Sequence, residues 1–209
     1  MAAINLPYPS IGKTYTWANR PPASSVAEEV IFVSNVGISG SYWISDGSYW
    51  VPLGGEVMLA KSTTASSVTG VTDETQLAVY TLPGGIVTPW SQIEISFLFS
   101  YTNSASSKTM RIKNSAVGSG ISGDTYYSCA TTTTATLSGL CCIRSNNSLS
   151  SQKGWGIGST GPTGLGAIAS TLRSFTRGLS SDSDIVISGQ LANSAEAITL
   201  VSYSIILRA

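Results

Sequence analysis

The sequence predicts an all-β protein: a small N-terminal β-hairpin module followed by an antiparallel, jelly-roll-like β-sandwich. Three observations carry this. Ile93, Ile95, Phe97, Phe99 and Tyr101 alternate with mostly polar neighbours, the period-two pattern of a strand with one buried face. Beyond residue 72, short runs of strand-forming residues recur between clusters of Gly, Ser, Asn and Asp. No stretch sustains a helical period over three turns.

Taken in order, Tyr15-Thr16-Trp17-Ala18-Asn19-Arg20 should run extended into Pro21-Pro22, because a residue before proline is pushed out of the helical region. Residues 24–29 supply one turn, helical or plain, and Val30-Ile31-Phe32-Val33 a short buried strand. Next comes Tyr42-Trp43-Ile44-Ser45-Asp46-Gly47-Ser48-Tyr49-Trp50-Val51. Asp46-Gly47 is the preferred pair for a two-residue type I′ turn, which sets Trp43 opposite Trp50 and Ile44 opposite Tyr49. One face of this ribbon carries Trp43 and Trp50, the other Tyr42, Ile44, Tyr49 and Val51. One should cover Ile31 and Val33, and the other should meet another chain or loops of the same module. Trp17, Trp43, Trp50, Tyr42 and Tyr49 are therefore docking or assembly candidates. Residues 1–60 make this module, 61–72 a Ser/Thr-rich linker, and 73–209 the sandwich.

In the sandwich, residues 76–82 form a strand, and 93–113 a long hairpin joined through 103–107. Further strands are expected at 125–131, 135–144, 151–157, 165–175, 184–190 and 197–207. In the last, Val201, Tyr203, Ile205 and Leu207 face one way and Ile198, Leu200 and Ile206 the other. A strand apolar on both sides needs a neighbour outside its own core, a second subunit or a covering loop.

Composition narrows function. Net charge is zero and 11% of residues are charged, which argues against nucleic acid, since phosphate binding needs clustered Lys and Arg. Lys108, Arg111 and Lys113 read as a solvated strand face. The longest apolar run, Val30-Ile31-Phe32-Val33, is too short to insert into a membrane. The first residues lack the basic start and apolar core of a signal peptide, so a soluble chain made in the cytoplasm is expected. Cys129, Cys141 and Cys142 read as buried free thiols, with a Cys129–Cys141 disulfide as the alternative.

A search for chemistry finds little. The chain has no histidine, which removes Ser-His-Asp and Cys-His catalysis and His-based zinc sites. The carboxylate clusters Glu28-Glu29, Asp73-Glu74 and Asp182-Ser183-Asp184 fit turn chemistry. Asp124 with Asp182 as a glycosidase pair, and Asp182 with Asp184 as part of a calcium site, are the weaker alternatives. No catalytic residue, cofactor or metal ligand is expected. Gly156-Ile157-Gly158-Ser159-Thr160-Gly161 matches a dinucleotide fingerprint, but Pro162 and Gly164 follow where a helix must open, so it reads as a glycine-rich loop. Such tips often carry recognition residues. Asn103 and Ser106 in one loop, Asn146 and Asn147 in another, and Trp155 are the amide, hydroxyl and aromatic groups suited to sugar contact.

Two groups of motifs carry a resemblance. Thr16-Trp17-Ala18-Asn19-Arg20-Pro21-Pro22, Val30-Ile31-Phe32-Val33-Ser34-Asn35-Val36-Gly37 and Ser45-Asp46-Gly47-Ser48-Tyr49-Trp50 resemble a small N-terminal module of tailed-bacteriophage virion proteins. Leu82-Pro83-Gly84-Gly85, the stretch from Phe99 through Ile112, Ile187-Ser188-Gly189-Gln190-Leu191-Ala192-Asn193 and Leu200-Val201-Ser202-Tyr203 are similar to C-terminal sandwich domains of phage tail fibres and related appendages. The resemblance implies a virion-located homotrimer, docked on other virion proteins by its N-terminal module, with the sandwich facing outward toward host-surface glycan. It carries over no catalytic residue. A capsid decoration or head-fibre protein is the alternative; a depolymerising tailspike and a cellular lectin are weaker ones.

Overall fold

The computed structural model describes residues 13–159 and 173–209. Apart from three short 3₁₀ turns, its regular elements are strands. The N-terminal sheet contains β1 (Thr14–Tyr15), β2 (Val30–Val33), β3 (Ser41–Ser45) and β4 (Trp50–Pro52), in that order. Thereafter come β5 (Glu56–Ser62), β6 (Ser66–Thr69), β7 (Thr75–Leu82), β8 (Gln92–Tyr101), β9 (Lys108–Ala116), β10 (Asp124–Thr131), β11 (Thr136–Ser145), β12 (Gln152–Ser159), β13 (Arg173–Phe175), β14 (Ser183–Leu191) and β15 (Ala197–Arg208). They form a 7-stranded sheet, β13-β12-β11-β8-β15-β5 with β6 also on β15, and a 4-stranded sheet, β10-β9-β14-β7. The inner faces of the two sheets share one apolar core with the N-terminal module.

The N-terminal hairpin forms, but in another register. Ser45 pairs with Trp50 and Trp43 with Pro52, so Asp46-Gly47-Ser48-Tyr49 is the connection rather than Asp46-Gly47 alone. The Asp46 carboxylate accepts from the amides of Ser48 (2.8 Å) and Tyr49 (2.6 Å), while the Asp46 amide donates to the Tyr49 carbonyl (3.0 Å). A wider turn closed by the Asp side chain thus displaces the tight one. A slip of two leaves every side chain on its expected face. Trp43 and Trp50 point inward with Ile31 and Val33, and Tyr42, Ile44 and Val51 remain outside.

The expected linker is part of the sandwich. β5 and β6 both pair with β15, Val57, Leu59 and Val68 are buried, and the Ser67 and Thr199 hydroxyls bond across strands at 2.7 Å. Ser and Thr without apolar residues would indeed stay loose; here one apolar residue at each inward position suffices to seat them.

The expected 93–113 hairpin does not form. β8 pairs with β11 and β15 in the large sheet, whereas β9 pairs with β10 and β14 in the small one. The chain crosses between layers through residues 102–107, so Ile93, Ile95, Phe97 and Phe99 face Met110 and Ile112 across the core. Lys108 is the reason this crossing holds its shape. It is fully buried, donating from Nζ to the Ser104 hydroxyl (2.6 Å) and to the carbonyls of Ser106 (2.8 Å) and Thr132 (3.1 Å), with the Glu196 carboxylate at 3.1 Å. The solvated-face reading of the three cations is overturned. Lys113 is buried and bonds Glu74 at 2.9 Å and the Ile121 carbonyl at 2.7 Å, and Arg111 lies 3.3 Å from Glu74.

The last strand needs no outside neighbour. A bulge between Leu200 and Ser202 inserts Val201 and reverses the phase of β15 against β8. Ile198 and Leu200 before it, and Ile205 and Leu207 after it, all enter the same core.

Glycines mark where aromatic rings enter the core. Gly154 and Gly156 lie inside β12, under the rings of Tyr126 and Tyr127, and a Cβ on Gly156 would fall 1.9 Å from the Tyr127 ring. The start of the expected glycine-rich loop is therefore strand; its remainder, with strand residues 165–172, lies outside the described residues. Cys129, Cys141 and Cys142 are free thiols, with Cys129 half-buried rather than buried. Burial, and then the nearby Glu94, pushes the Cys142 thiol up to about 11, far from a reactive thiolate.

Candidate functional site

Because β11 runs antiparallel to β8, with Arg144 opposite Gln92, the end of β11 and the start of β8 meet at one end of the sandwich. The Thr88-Pro89-Trp90-Ser91 turn is built into this end. Thr88 and Ser91 are buried, their hydroxyls bond at 2.7 Å, the Thr88 amide donates to the Ser91 hydroxyl (2.9 Å), and the Ser145 amide donates to the Ser91 carbonyl (2.9 Å). A rigid turn thus carries Trp90 outward, 47% exposed, with the Tyr49 ring edge-on at 5.4 Å. This is the contact by which the N-terminal hairpin reaches the site.

Across from Trp90, β11 passes into residues 146–151 and returns as β12. Asn147 takes φ 54°, a left-handed turn that asparagine tolerates, and the Asn146 amide donates to the Ser151 carbonyl (2.9 Å). Buried Gln152 anchors the loop from below. Its amide nitrogen donates to the carbonyls of Leu149 (3.1 Å) and Arg177 (2.8 Å), and its oxygen accepts from the Arg177 amide (3.1 Å). Gln152→Ala removes these bonds and leaves the half-buried Arg177 amide and carbonyl without this partner, which should cost about 1–3 kcal/mol in urea denaturation.

Between the two lies a cleft of about 410 Å³, with Pro89 and Trp90 on one wall and Asn146 and Asn147 on the other. Arg144, Ser145 and Lys153 complete it. An exposed indole face beside amides and cations can stack on the apolar face of a ring and hydrogen-bond its substituents.

Of the residues expected at the site, Asn146 and Asn147 line this cleft. Trp155 does not; it lies half-buried on the outer face of the large sheet, opposite Cys142. Asn103 and Ser106 sit at the other end of the sandwich, since Ser100 pairs with Thr136 where β8 leaves the sheet. Ser106 gives its carbonyl to Lys108, and Asn103 is exposed. One recognition surface cannot hold both loops.

The three docking tryptophans are internal. Trp17, Trp43 and Trp50 are buried, and their indole N–H groups donate to the Gly84 carbonyl (2.9 Å), the Ser41 hydroxyl (2.8 Å) and the Pro21 carbonyl (2.9 Å). Hydrophobicity and an internal acceptor for each N–H account for this placement. Tyr42, 45% exposed, and the half-buried Phe32, its ring 5.0 Å away, are aromatics on the outer face of the module. Asp182 and Asp184 are also engaged. Asp182 accepts from the Gly84 amide (2.6 Å), and Asp184 from the Thr81 hydroxyl (2.7 Å) and Gly118 amide (2.8 Å).

Trp90 was missed because it sits in a turn, outside any periodic pattern. The available signal was an aromatic residue following Pro89 between two strands.

No family model and no curated protein matches the chain. Among solved structures, lectin II from Ulex europaeus is similar, with 13% identity, TM-score 0.37, and coverage of 77% of this chain and 90% of that one. The lectin UEA-II complexed with galactose gives 12% and 0.36 over the same shares. The lectin from Bauhinia forficata in complex with GalNAc gives 8% and 0.31, covering 87% of this chain and 93% of that one. Likeness at this level says nothing about what this chain binds.

Proposed function

We propose that the protein is a non-enzymatic structural and recognition protein, a short homotrimeric phage fibre or tail appendage that holds a host-surface saccharide in the Trp90 cleft. The observation that carries the binding part is the exposed Trp90 indole, held on a rigid turn and faced by Asn146 and Asn147. Such pre-ordered groups lose little freedom on binding. The carboxylates of Asp182 and Asp184 are consumed by the fold, which supports a role without catalysis. The virion part rests on the motif resemblance, and the outward Tyr42 and Phe32 give the N-terminal module a face to set against the particle.

Trp90→Ala should weaken binding of the purified protein to host cells, or to a glycan array bearing their surface saccharides, by about tenfold, or about 1.4 kcal/mol. Far-ultraviolet circular dichroism should show the fold retained, because the half-exposed indole lies in a turn outside the hydrophobic core. Full binding by a folded Trp90→Ala protein would overturn the saccharide reading.

A further inference from the structure

The cleft carries two cations, Arg144 and Lys153. Arg144 and Lys153 are direct cross-strand partners on β11 and β12, and like charges placed opposite each other disfavour a sheet. In the same molecule, Lys108, Arg111, Lys113 and Arg208 each lie against a carboxylate, and of the described cations that do not, Lys13, Arg20, Lys61 and Arg177 stand outside the cleft lining. Neither Arg144 nor Lys153 has a carboxylate partner among the described residues, and the stretches outside them, 1–12 and 160–172, contain no Asp or Glu. Among the described residues, Lys153 donates to the neutral hydroxyl of Ser174 (2.7 Å). Further along that cross-strand row, Arg208 already holds Glu56 and Glu94. In a chain of zero net charge, this is an unneutralised pair of positive charges facing a built cleft.

We infer that the cleft selects an anionic saccharide, one bearing a carboxylate, sulfate or phosphate group. Arg144 and Lys153 receive the anionic substituent, and Trp90 takes the ring. A guanidinium offers a planar pair of N–H donors matched to a carboxylate or phosphate, and the adjacent ammonium adds a second charge. The two cations then repel each other in the empty cleft and are neutralised in the filled one. Asn146 and Asn147 provide donors and acceptors for ring hydroxyls. The inference rests on the saccharide reading above and adds the ligand's charge to it.

The test pairs acidic oligosaccharides with neutral counterparts of the same backbone: a uronate, a sulfated and a phosphorylated series, titrated calorimetrically into the full chain. At least one acidic series should bind about tenfold tighter than its neutral partner. The preference should shrink at about 0.5 M salt, where screening acts within a few ångströms. In the double variant Arg144→Gln/Lys153→Gln it should fall to about twofold or less. Which series responds distinguishes carboxylate from sulfate and phosphate. Equal binding of neutral and acidic forms overturns the inference while leaving the saccharide reading intact. A preference that survives the double variant also overturns it. Failure of every series, neutral and acidic, removes both.

Discussion

Trp43→Ala is expected to destabilise the protein by about 3–5 kcal/mol, the cost of emptying a fully buried aromatic site. Trp43 has no exposed surface, its ring meets Trp17 at 4.8 Å, and it lies opposite Ile31 across the N-terminal sheet. Its indole N–H also leaves Ser41 without a donor when removed. Because Trp17 bonds the Gly84 carbonyl and the core runs unbroken into the sandwich, the loss should appear as one shifted transition in guanidinium denaturation rather than as selective melting of the module. A wild-type midpoint would show that the indole is not a core element. A variant at this position reports on folding and cannot report on docking; Tyr42 is the aromatic to change for that purpose.

Lys108→Ala is expected to cost about 3 kcal/mol or more, again by denaturation. Removing one member of a buried pair leaves the other without compensation, and here the carbonyls of Ser106 and Thr132 lose their donor as well. The pH dependence has a definite sign. The Ser104 hydroxyl, opposed by burial and helped by Lys108, holds the Glu196 carboxyl below the usual carboxylate range. A carboxyl lowered on folding contributes stability above its unfolded value, near 4.3 for Glu, and that contribution fades as pH falls through the lower folded value. In Lys108→Ala the carboxylate faces burial without its cation, so protonating it becomes less costly. The gap between wild type and variant should therefore be widest near neutral pH and narrow on acidification. A gap independent of pH would show that Glu196 is not coupled to Lys108.

The all-β class and most strand positions were legible because alternation reports directly which residues share a face. It does not report which strand lies alongside. Residues 93–101 and 108–113 show the right faces, yet their strands belong to different layers, and nothing in either pattern encodes the crossing. Asp46-Gly47 signalled a turn, but the Asp46 side chain chose a wider one. Val201 looks like one more apolar strand residue, and only its pairing shows it to be the inserted one. Lys108 was misplaced because a charge was read as solvent-seeking, when two of its partners, Thr132 and Glu196, come from loops distant in sequence. At the site, Asn146 and Asn147 were legible as polar loop residues, whereas Trp90 and the Arg144–Lys153 pair depend on register that sequence alone does not supply.

The position of β15, between β8 and the edge strands β5 and β6 of the large sheet, has a consequence for biosynthesis. Each strand that flanks it emerges from the ribosome first and waits with an unsatisfied edge until residues 197–208 follow. Such pairing between distant segments is slow, and the waiting edges are open to other chains. Nascent chains cut off before β15 should accumulate as insoluble or chaperone-bound species, and the sheet should close only when β15 slots between β5 and β8, both completed long before it.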